Sequence, residues 1–223
     1  MKIGILLYDQ VTALDAFGPM DILGRVKAWD VQNVACLPGR IDVGNKLFVE
    51  PSLILTVETK LDVLLIPGGR GQIEFCKSED NLRIVKAVCE KAGFVLTVCT
   101  GSLILAFCGL LFDKKVTTNR SAYQALEKFG AIVVDERIVE DGNIISCGGV
   151  TAGIDLGFYF VNKIAGPHEA RRIQLLVEYN PSPLYRYTSL ETDVALNHEL
   201  TNDSKNIISA RDAQIEAHLQ KFK

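Results

Sequence analysis

Gly93-Phe94-Val95-Leu96-Thr97-Val98-Cys99-Thr100-Gly101-Ser102-Leu103-Ile104-Leu105-Ala106 reads as a strand that runs directly into a helix. Phe94–Val98 is a short, near-continuously apolar run, the pattern of a strand covered on both faces. The residues after Cys99 carry a helical apolar pattern. A nucleophile at such a junction sits on a sharp turn and presents its side chain at the carboxyl edge of the sheet. Open α/β sheets bind ligands outside those edges. The helix N-terminus is expected to favour the Cys99 thiolate and to lower its pKa. Thr-Gly-Ser is unusual filler for a core, which separates Cys99 from Cys89 and Cys108. Those two lie among helical apolar residues and read as buried structural thiols.

Outward from this junction, apolar runs of strand length recur at Ile3–Tyr8, Val31–Leu37 and Val63–Ile66. Helical patterns fall between them at Thr12–Gly24, Asn81–Lys91 and Ser121–Phe129, the last followed by Gly130 in a C-cap position. This alternation predicts an α/β fold, a mostly parallel sheet sandwiched by helices. Ile138–Cys147 carries Glu140-Asp141-Gly142-Asn143 at its centre and predicts a hairpin at a sheet edge. Gly148–Ile164 predicts a buried helix. Gly149, Gly153 and Gly157 fall on one stripe of it, open either to packing within the chain or to a subunit interface. A helix over Glu169–Tyr179 is expected to end at Asn180-Pro181-Ser182-Pro183. An amphipathic helix follows over Asn206–Phe222, with Ile208, Ile215, Leu219 and Phe222 on one side. The expected organisation is an α/β domain over residues 1–185. Residues 186–223 form an extension whose helix lies on that domain or on a partner subunit.

The 223 residues are enough for a large core without disulfides or metal. Hydrophobic residues make up 48%, which excludes disorder as the main state. Lys plus Arg number 24 against 27 Asp plus Glu, so no basic excess exists to neutralise phosphates, and nucleic acid is not an expected partner. The apolar N-terminal run is short and closed by Asp9-Gln10, unlike a signal peptide, and no apolar run approaches a membrane span. The expectation is a soluble, cytoplasmic chain with no membrane partner. None of the six cysteines forms a C-x-x-C pair, and the default in a reducing compartment is a buried thiol. The three histidines, His168, His198 and His218, all lie after residue 165, and His198 and His218 sit in polar surroundings that read as solvated. No cluster has metal-ligand spacing, so neither metal nor cofactor is expected.

Two further segments belong to the same sheet edge. Ile66-Pro67-Gly68-Gly69-Arg70-Gly71 follows a buried strand, and its glycines let the backbone approach a ligand with N–H groups turned inward. Gly68, Gly69 and Arg70 are therefore candidates for an oxyanion hole or a substrate cradle. The segment lacks the Gly-Lys-Ser/Thr of a Walker loop and the G-x-G-x-x-G of a dinucleotide site. Val11-Thr12-Ala13-Leu14-Asp15-Ala16-Phe17-Gly18-Pro19 places Asp15 among apolar neighbours after the first strand. A carboxyl beside a thiol in a semi-apolar pocket is a candidate proton shuttle. The same residue also reads as a helix N-terminal Asp complementing the dipole.

In this order the three segments resemble the DJ-1/PfpI superfamily, over residues 1 to about 185. That resemblance implies a flavodoxin-like, class I glutamine amidotransferase-like fold with a nucleophile elbow at Cys99. Val-Thr-Ala-Leu-Asp15-Ala-Phe-Gly-Pro, Pro-Gly-Gly-Arg-Gly and Val-Cys99-Thr100-Gly-Ser-Leu-Ile-Leu are similar to the isocyanide (isonitrile) hydratase branch. So are Gly-Leu-Leu-Phe-Asp-Lys-Lys-Val-Thr-Thr, Gly-Val-Thr-Ala-Gly-Ile-Asp-Leu and Glu-Tyr-Asn-Pro-Ser-Pro. The resemblance maps the nucleophile to Cys99, the acid/base carboxylate to Asp15 and a hydroxyl neighbour to Thr100. It implies a lyase acting on a small molecule, commonly as a homodimer. Glyoxalase, deglycase or peptidase branches commonly hold Glu at the carboxylate or His after the cysteine, where this chain has Asp15 and Thr100. A departure occurs at Thr117-Thr118-Asn119-Arg120, where the family usually has Thr-Thr-His-Trp. A thiol sensor or regulator is the alternative of a different class. However, the roughly 40 residues after Pro183 are too few for an appended DNA-binding module.

Overall fold

The computed structural model describes residues 1–185 and 193–221. In chain order the elements are β1 (Lys2–Leu6), α1 (Ala13–Leu23), β2 (Asp30–Ala35), β3 (Ile41–Asp42), β4 (Phe48–Val49), β5 (Leu53–Ile54), β6 (Val63–Ile66), α2 (Gln72–Phe75), α3 (Glu79–Lys91), β7 (Phe94–Val98), α4 (Gly101–Phe107), β8 (Lys115–Val116), α5 (Tyr123–Glu127), β9 (Ile132–Val133), β10 (Ile138–Asp141), β11 (Ile144–Cys147), α6 (Ala152–Ala165), α7 (Pro167–Leu176) and α8 (Val194–Gln220). Seven strands form one sheet in the order β10-β11-β7-β6-β1-β2-β5. Every pairing is parallel except the β10–β11 edge hairpin, where Gly142 takes a left-handed φ of 64°. The sheet lies between helices: α1 and α7 both pack on α6, and α2, α3 and α5 gather near α4.

The central strands are continuous apolar runs because both their faces are covered. Ile3, Ile5, Leu64, Leu65 and Leu96 are fully buried. Each such side chain contributes roughly 1.5–3 kcal/mol of burial free energy. The α1–α6 contact is close because α6 offers glycines there. A Cβ on Gly153 would lie 3.3 Å from Pro19 Cδ, and one on Gly157 would lie 3.0 Å from Ile22 Cβ. The small-residue stripe therefore serves packing within the chain. It is also shorter than expected, because α6 begins at Ala152 and leaves Gly149 in the preceding turn.

The C-terminal helices depart from expectation at their ends. α7 stops at Leu176, and Glu178 takes a left-handed φ of 51°, so the chain turns before Pro181 acts as a breaker. α8 starts at Val194, twelve residues ahead of Asn206, with Asp193 as its cap accepting from the Leu196 N–H at 3.2 Å. Its first half lacks an apolar stripe, which is why the sequence pattern does not show it. Its second half lies on the α/β body. Ile215 is fully buried, Gln214 Nε2 donates to the Ile73 carbonyl at 2.7 Å, and Lys128 pairs with Asp212 at 2.8 Å. His218 is not solvated as expected. Its ring stacks edge-on to Phe107 at 4.8 Å and lies 5.9 Å from Phe129, and burial holds its pKa below the ordinary histidine value. Phe222 and the start of the extension, residues 186–192, lie outside the described residues. Among the described residues no helix is long and apolar enough to cross a membrane.

Candidate active site

Sheet order explains why three distant segments meet. β7, β6 and β1 are neighbours and run parallel, so their carboxyl ends open onto one edge. Cys99 follows β7, Pro67-Gly68-Gly69 follows β6, and α1 with Asp15 follows β1.

Cys99 has a φ of 54°, in the left-handed region that non-glycine residues rarely occupy. Such strain persists only where the surroundings hold it. Here the Cys99 N–H donates to the carbonyls of Cys147 (3.2 Å) and Gly148 (3.0 Å), and its own carbonyl accepts from Thr118 Oγ1 at 2.7 Å. The turn is tight enough that a Cβ on Gly101 would lie 2.0 Å from the Ile66 carbonyl oxygen, so only glycine fits at the start of α4.

Asp15 is completely buried. Its Oδ2 accepts from the Gly68 N–H at 3.1 Å, a donor on a different strand's loop, while its place in the first turn of α1 also sets it to complement the helix dipole. No hydrogen bond of ordinary geometry reaches Oδ1, yet the carboxyl and the Cys99 thiol act on each other's proton. Burial pushes Asp15 up to about 6, opposed by the Gly68 N–H and by Cys99. Cys99 is 7% exposed, and burial, reinforced by the Asp15 charge, pushes its thiol up to about 12. This reverses the expectation of a lowered thiol pKa. The Thr100 N–H at the start of α4 does favour the thiolate, but desolvation outweighs it. The resting pair at neutral pH is therefore a thiol beside a largely ionised carboxylate.

The glycine loop is engaged inside the site. Gly68 holds Asp15, and the Gly69 N–H donates to Thr100 Oγ1 at 3.1 Å. Gly68 comes so close to the elbow that a Cβ there would lie 2.5 Å from Thr100 N. The expected free donors at Gly68 and Gly69 are thus positioning bonds, and the Arg70 side chain is exposed. Sequence reasoning missed four contributors. Tyr8 donates to the Pro67 carbonyl at 2.8 Å and fixes the loop. Thr118 and Gly148 hold the elbow backbone, as above. Arg211 of α8 is buried, and its positive charge acts on Cys99. Only the Thr117-Thr118 stretch carried a signal, through the resemblance. Beside the elbow lies a cavity of about 880 Å3 whose lining includes Thr118, Asn119, Ser121, Gly149 and, from α8, Ser204 and Ile208. Cys99 and Asp15 are not part of that lining; Thr118, which bonds the Cys99 carbonyl, is. Among the described residues no group of three or more His, Cys, Asp or Glu side chains is arranged to hold a metal ion.

A parallel sheet with a cysteine elbow and a buried carboxyl beside it defines the class, and residues 1–163 match the DJ-1/PfpI family. The chain belongs to that family. It is 36% identical over 194 residues to the isonitrile hydratase of Pseudomonas putida, covering 86% of this chain and 84% of that protein. A deglycase from Thermococcus kodakarensis is 31% identical over 87 residues, 39% of this chain and 52% of that one. Among solved structures, a ThiJ/PfpI family protein from Pseudomonas syringae superposes with a TM-score of 0.90 at 29% identity, over 96% of this chain and 90% of that chain. Drosophila melanogaster DJ-1beta shares the fold, with a TM-score of 0.73 at 19% identity over 81% of this chain and 98% of that chain.

Proposed function

We propose that this chain is an enzyme that hydrates an isocyanide to an N-substituted formamide, with Cys99 as nucleophile and Asp15 as proton carrier. The observation that carries the reading is the buried pair itself, a thiol on a strained elbow beside a carboxyl pushed up to about 6. A group with that value is mostly a base at neutral pH and still a competent acid. The similarity to an isonitrile hydratase over most of both chains supports the same reaction.

The chemistry runs in two halves. Asp15 takes the thiol proton as sulfur bonds to the terminal isocyanide carbon, and returns that proton to the same carbon, giving a thioimidate. Asp15, again ionised, then takes a proton from water as its oxygen adds to the C=N carbon. That water proton passes from Asp15 to nitrogen, the hydroxyl proton passes to sulfur as the C–S bond breaks and the carbonyl forms, and R–NH–CHO leaves. The sum is isocyanide plus water. Thr100 and Gly69 lock the loop against the elbow, and Thr118 holds the Cys99 carbonyl.

The test is a substrate panel with purified protein: isocyanides, methylglyoxal and a glycated amine, with products identified by NMR. Formamide formation with methylglyoxal at background supports the reading. The reverse pattern overturns it in favour of deglycase-type chemistry. Cys99→Ala is expected to abolish product. The assembly proposed with this function is a homodimer.

A further inference from the structure

Arg211 is buried, with only 5% of the residue's surface exposed. Among the described residues it makes one hydrogen bond, from Nη1 to the Ser121 carbonyl at 3.1 Å, and no ion pair. Its Nε is buried with no partner. The acidic residue next in sequence, Asp212, is paired instead with Lys128. A buried, permanently charged group with donors left over is costly unless an anion meets it. Ser121, the residue it bonds, and Ile208, one turn earlier on α8, both line the cavity beside the elbow. The guanidinium and the Cys99 sulfur act on each other's charge.

We propose that Arg211 is an anion subsite at the edge of this pocket, behind Ser121 and Ile208 of its lining, and that the chain acts on electrophiles that carry a carboxylate within three bonds of the reacting carbon. The inference deepens the hydratase reading and rests on Cys99 as the nucleophile. It does not depend on the electrophile being an isocyanide. The resting thiol does not supply the missing anion, because Cys99 is protonated at neutral pH. Asp15 does not supply it either: its one conventional hydrogen bond is to Gly68, and no ion pair joins it to Arg211. An Arg fork presents parallel N–H donors, the geometry a carboxylate takes up. Carried on the second half of α8, Arg211 makes the extension part of the site.

The experiment compares two alkylating probes of nearly equal size, iodoacetate and iodoacetamide, at Cys99. Site-resolved mass spectrometry gives the rate of each. The quantity read is the ratio of iodoacetate to iodoacetamide rates, which cancels any general change in thiol reactivity. Arg211→Gln is expected to lower that ratio about tenfold, the scale of one lost charge-assisted hydrogen bond. Arg211→Lys is expected to retain most of it. A ratio unchanged within about twofold, including the case where both rates fall together, overturns the proposal. If Arg211→Gln does not fold, the wild-type protein decides. Acetate should protect Cys99 from iodoacetamide saturably where acetamide does not, and equal protection or none by the two overturns the proposal. Hydration is scored separately with isocyanoacetate and methyl isocyanide. No formamide from either sinks the hydratase reading but leaves the ratio as a measure of Arg211. Equal turnover of both with a flat ratio sinks the anion subsite and keeps the hydratase.

Discussion

Replacing Asp15 by Asn separates what its charge costs from what its shape contributes. Asn keeps an acceptor for the Gly68 N–H and fills the same space, but it does not ionise. In the wild type, burial raises this carboxyl from 3.8 to about 6. At about 1.36 kcal/mol per unit, keeping Asp15 ionised at pH 7.5 costs the folded state about 3 kcal/mol. The direction follows from the proton count. Between about pH 4 and pH 6 the native state holds a proton that the unfolded chain has released, so this contribution to stability falls as pH rises through that window and is flat above it. Asp15→Asn lacks the titration. At pH 7.5 it should be more stable than wild type by about 2–3 kcal/mol, a rise in Tm of about 5–10 °C for a chain of this size. The gain should shrink to nearly nothing at pH 4. Thermal and urea melts at pH 4, 6 and 7.5 read it directly. Turnover should fall by roughly 100- to 10,000-fold at the same time. A variant less stable than wild type at pH 7.5, or a gain equally large at pH 4, would refute the desolvated-carboxylate argument and return Asp15 to a structural role.

The pH profile of kcat/KM should rise through an apparent pKa near 6, belonging to the Asp15–Cys99 pair, and that limb should vanish in Asp15→Asn. Thr118→Val removes the 2.7 Å hydrogen bond to the Cys99 carbonyl and leaves only the longer Ser102 contact, so it should cost about 1–3 kcal/mol in urea melts and lower turnover. Sedimentation at micromolar concentration should show a homodimer, and a species of only 24.5 kDa would refute the proposed assembly.

The sheet and its carboxyl edge were legible because both depend on local pattern. Phe94–Val98 and Val63–Ile66 are apolar at nearly every position, which only a doubly covered strand requires. Glycine spacing was read correctly as close packing, but the sequence left its partner open; the structure supplies it in Pro19 and Ile22. The first half of α8 was illegible because an exposed helix needs no apolar stripe, only a cap such as Asp193. Arg211 was missed although it falls on the same side of α8 as Ile208 and Ile215, because a charged residue on an apolar stripe ordinarily carries its head out to water. The raised Cys99 pKa was also beyond sequence reading. The helix N-terminus is visible in the pattern, but the surrounding burial that outweighs it comes from elements far along the chain.

That burial bears on whether Cys99 serves catalysis or oxidation sensing. A sensing cysteine is thiolate-rich and accessible, since both properties set the rate of peroxide attack. Cys99 is 7% exposed and pushed up to about 12, as high as Cys36 and Cys108, which lie in the core with no buried carboxyl beside them. Acidity therefore does not single out Cys99 among the thiols. Backbone and neighbour do: the strained elbow sets it at the carboxyl edge of the sheet, and Asp15 stands beside it as a base. Such a thiol becomes nucleophilic when its proton moves to Asp15 in step with bond formation to a bound electrophile. Peroxide arrives without any group for the neighbouring pocket to hold, so it gains little from that arrangement. At pH 7 it should oxidise Cys99 more slowly than a free cysteine of ordinary pKa, as read by sulfenic-acid trapping. Oxidation as fast as the free amino acid would restore the sensor reading, because it would require a thiolate population that this site, as built, does not hold at rest.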